Sequence, residues 1–123
     1  ASDEVHIPTL AQFASAADFY STLAHEATHW TGHADRLDRT FGARFGDEAY
    51  AFEELVAEIG AAFWCGLHGV SPAEPRADHA QYLAHWVSVL RNDSKALVTA
   101  ASKAQQAVDH LEALASAKVG VAA

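Results

Sequence analysis

Two histidines one helical turn apart constrain this chain more than any other feature of its sequence. The segment His25–His29 reads H-E-x-x-H, and it lies within a predicted helix over 17–31 that follows a capping Ser15 and stops at Gly32. Residues four apart lie on the same face of a helix, so both imidazoles can bind one metal ion. Glu26 lies beside that face, where it can take a proton from a metal-bound water. The pattern favours a metal-dependent hydrolase.

Composition limits the class of protein. The chain has 123 residues, with 8 basic and 16 acidic side chains, which gives a net charge of −8. It predicts a single domain over 1–123 that does not bind nucleic acid directly, because its few basic residues are scattered. A lone Cys65, an acidic N-terminal segment and the lack of an apolar run of about 20 residues favour a cytoplasmic protein without a membrane partner.

The remaining patterns predict an α+β fold that is mostly α-helical. Asp3–Pro8 alternates polar and apolar residues before a proline, which predicts a short edge strand. Apolar stripes predict further helices over 50–67 and 82–92, and a fourth that begins at Asp93 or Ser94. We expect the fourth helix to pack within the domain through Leu97, Ala101, Ala104, Val108, Leu111 and Ala115.

Two imidazoles make a weak metal site, so a third ligand is needed. His33 continues the four-residue spacing, but it lies about 12 Å along the helix from His25 and beyond the glycine stop. Asp35 has the position of the last metzincin ligand, yet metzincins need a methionine turn and this chain contains no methionine. Glu53 and Glu54, on the second long helix, are the other carboxylate candidates.

The charge pattern of the second helix favours Glu54. Glu54 and Glu58 are one turn apart, and like charges at that spacing cost about 0.2–0.5 kcal/mol. No basic residue between Arg44 and Arg76 offsets them, whereas a divalent cation would. Glu58 could then hydrogen-bond the free nitrogen of a ligand histidine. A solvated acidic face is the alternative, and Glu53 is expected to lie nearer that outer face.

Three segments together resemble a known family. His25–His33, Arg36–Arg39 and Tyr50–Gly60 are similar to the zincin-like metallopeptidase domain of polyvalent proteins and to the C-terminal domain of ArdC-type antirestriction proteins. The resemblance implies a zincin-like fold with about four main helices, whose edge strand, here Glu4–Ile7, aligns an extended peptide. Family members usually carry an upstream domain that binds single-stranded DNA, and they belong to mobile elements.

The resemblance also implies a gluzincin-like site. One Zn²⁺ would be bound by His25, His29 and Glu54, with Glu26 as the general base. Zincins commonly use a histidine or tyrosine to stabilise the oxyanion, and Tyr82 and His79, three residues apart, are our candidates.

Two functions follow from this interpretation. The first is hydrolysis of peptide bonds in a peptide or protein substrate. The alternative is a zinc-containing module that does not cleave and protects incoming DNA by binding host restriction factors.

Overall fold

Three long helices form the described part of a computed structural model of the chain. They are α1 (Ala16–Thr31), α2 (Glu48–His68) and α3 (Ala96–Ala122), and a single 3-10 turn, Leu10–Gln12, precedes them. None of the helices in this part of the chain is of the length and hydropathy that crossing a bilayer requires. The structure describes residues 3–39, 48–71, 84, 87–88, 91 and 95–122.

Helix α1 begins and ends as its sequence predicts. The Ser15 hydroxyl accepts a hydrogen bond from the backbone N–H of Asp18 at 3.1 Å, which satisfies one of the free donors of the first turn. At the other end, the N–H of Gly32 donates to the carbonyl of His29. These boundaries place His25 and His29 in the last two turns of a regular helix.

Helix α2 is central, because it packs more extensively against α1 and against α3 than those two helices pack against each other. Most of its buried residues are small, and Ala51, Val56 and Ala57 are fully inaccessible to solvent. Small side chains let helix axes approach closely, so α2 can bring its carboxylates against the histidines of α1.

At Gly60 the backbone of α2 lies close against Thr28 of α1. A Cβ atom built on Gly60 would lie 2.7 Å from Oγ1 and 2.8 Å from Cγ2 of Thr28. Thr28 cannot turn aside easily, since it is fully buried and its hydroxyl donates to the carbonyl of Ala24. A side chain at position 60 would therefore push the two helices apart.

We expect Gly60→Ala to destabilise the domain. Overpacking costs about 1–3 kcal/mol, which outweighs the roughly 1 kcal/mol that alanine contributes over glycine inside a helix. Gly66 is the matched control, since it lies in the same helix and a Cβ there meets nothing within 4 Å. Urea unfolding should give a lower free energy of unfolding for Gly60→Ala and a higher one for Gly66→Ala. Equal stabilisation by both substitutions would contradict the close packing.

The buried face of α3 differs from the expected one. Ala104 and Val108 are buried as predicted, but Leu97 is 61% exposed. The face that packs consists mainly of alanines, because short side chains fit closely beside α2 whereas the larger leucine is left outside. Its buried members are Ala96, Ala100, Ala104, Ala107 and Val108.

The predicted edge strand is wrong. Glu4–Ile7 has no strand assignment, and no strand occurs elsewhere in the described ranges. A strand needs a neighbour for its backbone hydrogen bonds, and this segment is held instead by a side-chain pair between Asp3 and Arg36, at 2.6 and 3.0 Å. The hydrogen bonds from Arg36 also lower the pKa of Asp3 below its usual value.

The fourth main helix expected from the sequence is not established. Of the predicted helix over 82–92, residues 84, 87 and 88 are described and are helical, while most of the segment lies outside the described residues.

Candidate metal centre

Three side chains from two helices converge at the interface between α1 and α2. His25 and His29 come from α1, and Glu54 comes from α2. Their nearest atoms are His25 Nε2 and His29 Nε2 at 3.1 Å, His25 Nε2 and Glu54 Oε2 at 3.3 Å, and His29 Nε2 and Glu54 Oε1 at 3.4 Å. One ligand atom from each lies within 4.8 Å of the others, which is a grouping that can hold a metal ion.

These spacings fit coordination by a single ion. Tetrahedral ligands at 2.0–2.1 Å from a metal are separated by roughly 3.4 Å, and ligands at right angles in an octahedral site by roughly 3 Å. The observed separations of 3.1 to 3.4 Å span this range. The arrangement therefore needs little change to bind a metal.

The outer ring nitrogen of each histidine also meets a carboxylate. Glu58 Oε1 lies 2.8 Å from His25 Nδ1. Glu53 Oε2 lies 2.8 Å from His29 Nδ1. A carboxylate on Nδ1 fixes the tautomer that leaves Nε2 free for a metal.

The expected position of Glu53 is wrong. Its side chain is buried rather than solvated, with the residue 4% exposed. Besides His29, it contacts the guanidinium of Arg39, whose Nε donates to Glu53 Oε1 at 2.8 Å. The pair has no local sequence signal, because Arg39 lies in the loop after α1, 14 residues before Glu53.

The formal charges of the cluster fit a divalent cation. Glu53, Glu54 and Glu58 contribute three negative charges and Arg39 one positive charge, which leaves −2 around two histidines. A divalent ion would bring the sum to zero. This matters because an uncompensated charge is costly to bury.

Glu26 lies next to His25 in α1 and is partly exposed. No hydrogen bond or ion pair joins its side chain to the rest of the described chain. Among the described residues, its carboxylate is thus not committed to another contact and could transfer a proton.

The other candidates lie apart from this group. His33 and Asp35 are both exposed, and His33 Nδ1 accepts a hydrogen bond from the backbone N–H of Asp35 at 3.0 Å. Neither belongs to the cluster of possible metal ligands. His79 and Tyr82, the candidates for oxyanion stabilisation, lie outside the described residues.

Hydrogen bonding between the helices shifts two pKa values in opposite directions. Burial alone would lower the pKa of His29, but hydrogen bonds with Glu53 and Glu54 raise it to about 9. Burial alone would raise the pKa of Glu54, but hydrogen bonds from His25 and His29 lower it to about 2. Protonated His29 and ionised Glu54 thus stabilise each other.

These shifts predict how stability depends on pH in the presence of a chelator. The raised pKa of His29 stabilises the fold fully below its ordinary value of 6.5, and this contribution is lost as the pH rises towards 9. The lowered pKa of Glu54 stabilises the fold above 4.5 and is lost as the pH falls towards 2. Urea unfolding in chelator should therefore show maximal stability between pH 4.5 and 6.5. His29→Gln should lack the decline between pH 6.5 and 9, and an equal decline in that variant would rule out this explanation.

Comparison with known proteins identifies the class. A family model for zincin-like metallopeptidases matches residues 1–103, and the chain belongs to this family.

The chain is similar to a protein of known structure. The antirestriction protein ArdC from plasmid R388 is similar in its metal-free crystal structure, at 48% identity and a TM-score of 0.72 over 89% of this chain and 39% of ArdC. Its Mn(II)-bound structure is similar at 47% identity and a TM-score of 0.72, over 87% of this chain and 39% of ArdC.

Two curated proteins are also similar. The uncharacterized protein y4eC of Sinorhizobium fredii (strain NBRC 101917 / NGR234) is 45% identical over 91% of this chain and 36% of its own length. The DNA primase TraC of Escherichia coli is 39% identical over 88% of this chain and 10% of its own length. The chain thus spans between a tenth and about two-fifths of the length of these three proteins.

Proposed function

We propose that this domain is a zinc-dependent metallopeptidase with one metal ion bound by His25, His29 and Glu54. The observation that carries the proposal is the convergence of three ligand atoms from α1 and α2, 3.1 to 3.4 Å apart, with Glu26 adjacent to His25 in the same helix. Two imidazoles and one carboxylate with an open position form a ligand set typical of catalytic zinc.

The donor set supports zinc over manganese, although a related protein binds manganese. Imidazole suits zinc, whereas manganese favours carboxylate, carbonyl and water ligands. The Mn(II)-bound structure of ArdC supports binding of a divalent metal in this family.

In the proposed hydrolysis, each residue of the site has a separate role. A bound zinc ion supplies a Lewis acid that lowers the pKa of a water towards 7. Glu26 takes the proton from the attacking water and then passes it to the leaving amine. Glu58 and Glu53 keep the Nδ1 atoms of His25 and His29 engaged, so that both Nε2 atoms face the ion.

Further parts of the proposal rest on the sequence. We propose Tyr82 or His79 as the group that stabilises the oxyanion, and a peptide or protein substrate handled in the cytoplasm. The net charge of −8 supports a substrate other than nucleic acid, because a phosphate backbone would be repelled.

A binding module that does not cleave is the second candidate. The names of ArdC and TraC favour it, since they refer to antirestriction and to priming of DNA synthesis rather than to proteolysis. In that case the metal would stabilise a surface that protects incoming DNA by binding host restriction factors.

Digestion of an unfolded protein separates the two candidates. The zinc-loaded domain is incubated with reduced, alkylated casein, and mass spectrometry identifies new peptide termini. Cleavage that requires both zinc and Glu26 supports the peptidase. Zinc binding without any cleavage would favour the binding module.

A further inference from the structure

Arg39 makes an unusually complete set of contacts for a loop residue. Its side chain is 4% exposed, and Nε donates to Glu53 Oε1 at 2.8 Å while Nη2 donates to Glu53 Oε2 at 3.0 Å. Nη2 also donates to the carbonyl of Thr28 at 2.6 Å, and Nη1 donates to the Thr31 hydroxyl at 2.9 Å. The guanidinium thus joins the loop to both α1 and α2.

The same carboxylate connects Arg39 to the candidate metal centre. Glu53 Oε2 accepts from Arg39 and lies 2.8 Å from His29 Nδ1, while His29 Nε2 belongs to the metal-binding group. A continuous chain of contacts therefore runs from Arg39 through Glu53 to a ligand atom.

We propose that Arg39 is a positioning residue of the metal centre, which holds Glu53 in the orientation that directs His29 Nε2 to the ion. This inference rests on the proposed metal site. Glu53 provides the carboxylate that fixes the ring of His29, and Arg39 fixes that carboxylate from its other side.

The geometry requires arginine in particular. A guanidinium is planar and can donate to both oxygens of a carboxylate and to further acceptors at the same time. The single ammonium group of lysine keeps the charge but cannot reach the two oxygens, a carbonyl and a hydroxyl in this arrangement. Arg39→Lys therefore keeps the positive charge but removes the hydrogen-bond geometry, so that the two effects can be measured separately.

Arg36 provides a matched control. It lies in the same loop with a side chain that is 13% exposed, and it pairs with Asp3 through two hydrogen bonds and stacks at 3.7 Å on the ring of Trp30. None of these contacts touches the metal-binding group. Arg36→Met removes a comparable set of contacts without affecting Glu53.

The test measures zinc affinity of the folded protein by competition with a chromophoric chelator. We expect Arg39→Met to weaken zinc binding by about 10- to 100-fold, the usual effect of losing a residue that orients a ligand. Arg39→Lys should give an intermediate loss, and Arg36→Met should stay within about threefold of the unsubstituted protein. In proton NMR of the zinc-loaded protein, the Nδ1–H signal of His29 should exchange faster with water in Arg39→Met and remain unchanged in Arg36→Met.

A double-mutant cycle with Glu53→Gln tests the route of the effect. If Arg39 acts through Glu53, Arg39→Met should weaken zinc binding much less in the Glu53→Gln background than in the unsubstituted protein. Should Arg39→Met fail to fold, Arg39→Lys takes its place in the cycle. Additive losses of zinc affinity in the double mutant would overturn the inference. A loss of affinity in Arg39→Met no larger than that in Arg36→Met would also overturn it. Both results would leave the metal site intact. Failure of the unsubstituted protein to bind zinc would contradict the metal site and this inference with it.

Discussion

Replacing Glu26 with glutamine is expected to abolish peptide cleavage and to leave the fold and the bound metal intact. Glutamine has nearly the same shape, but it cannot accept the proton of the attacking water. Loss of a general base typically costs about 10²- to 10⁴-fold in rate. The absence of hydrogen bonds or ion pairs from Glu26 to the rest of the described chain gives no reason to expect unfolding.

The measurement is the initial rate of casein cleavage by zinc-loaded protein, with zinc content determined on the same sample. Glu4→Gln is the matched control, because it removes an exposed carboxylate whose ion pair, with His6 at 3.2 Å, does not involve the metal-binding group. Persistent cleavage by Glu26→Gln at more than a tenth of the normal rate would contradict the proposed mechanism. Antirestriction activity in cells that survives this substitution would favour the binding module.

Replacing Glu54 with alanine is expected to remove the metal from the site. The substitution deletes the carboxylate that lies between His25 and His29, and two imidazoles alone bind a divalent ion weakly. The fall in zinc affinity should exceed the roughly 100-fold that loss of an orienting residue costs.

Asp35→Ala provides the comparison for this effect. The spacing of Asp35 from the histidines makes it an alternative candidate for the third metal ligand. In the structure it is exposed and lies outside the group formed by His25, His29 and Glu54. Zinc titration should give wild-type affinity for Asp35→Ala and greatly weakened binding for Glu54→Ala. Full zinc retention by Glu54→Ala, or loss of zinc from Asp35→Ala, would disprove the assignment of Glu54.

The sequence predicted those parts of the molecule that depend on local signals. A serine cap and a glycine stop define α1, and their contacts are local. Helix periodicity predicted α2 within two residues at each end, whereas Glu54 was favoured as a ligand by its charge pair with Glu58 and by the family resemblance. Helix caps, stops and periodicity depend on residues close together in the chain, so the sequence alone can predict them.

Features that depend on contacts across the fold could not be predicted in the same way. Whether Glu53 is buried depends on Arg39, 14 residues away along the chain, folding back onto α2. The exposure of Leu97 depends on how closely alanines let α3 approach α2. The edge strand failed for a similar reason, since alternation at Glu4–Ile7 indicates extended backbone but does not supply a partner strand.

Anomalous diffraction from crystals grown with zinc tests the central claim most directly. The account predicts one strong peak between α1 and α2, about 2.0–2.1 Å from His25 Nε2, His29 Nε2 and a carboxylate oxygen of Glu54. A peak coordinated by other residues, or none at this position in zinc-saturated crystals, would contradict it.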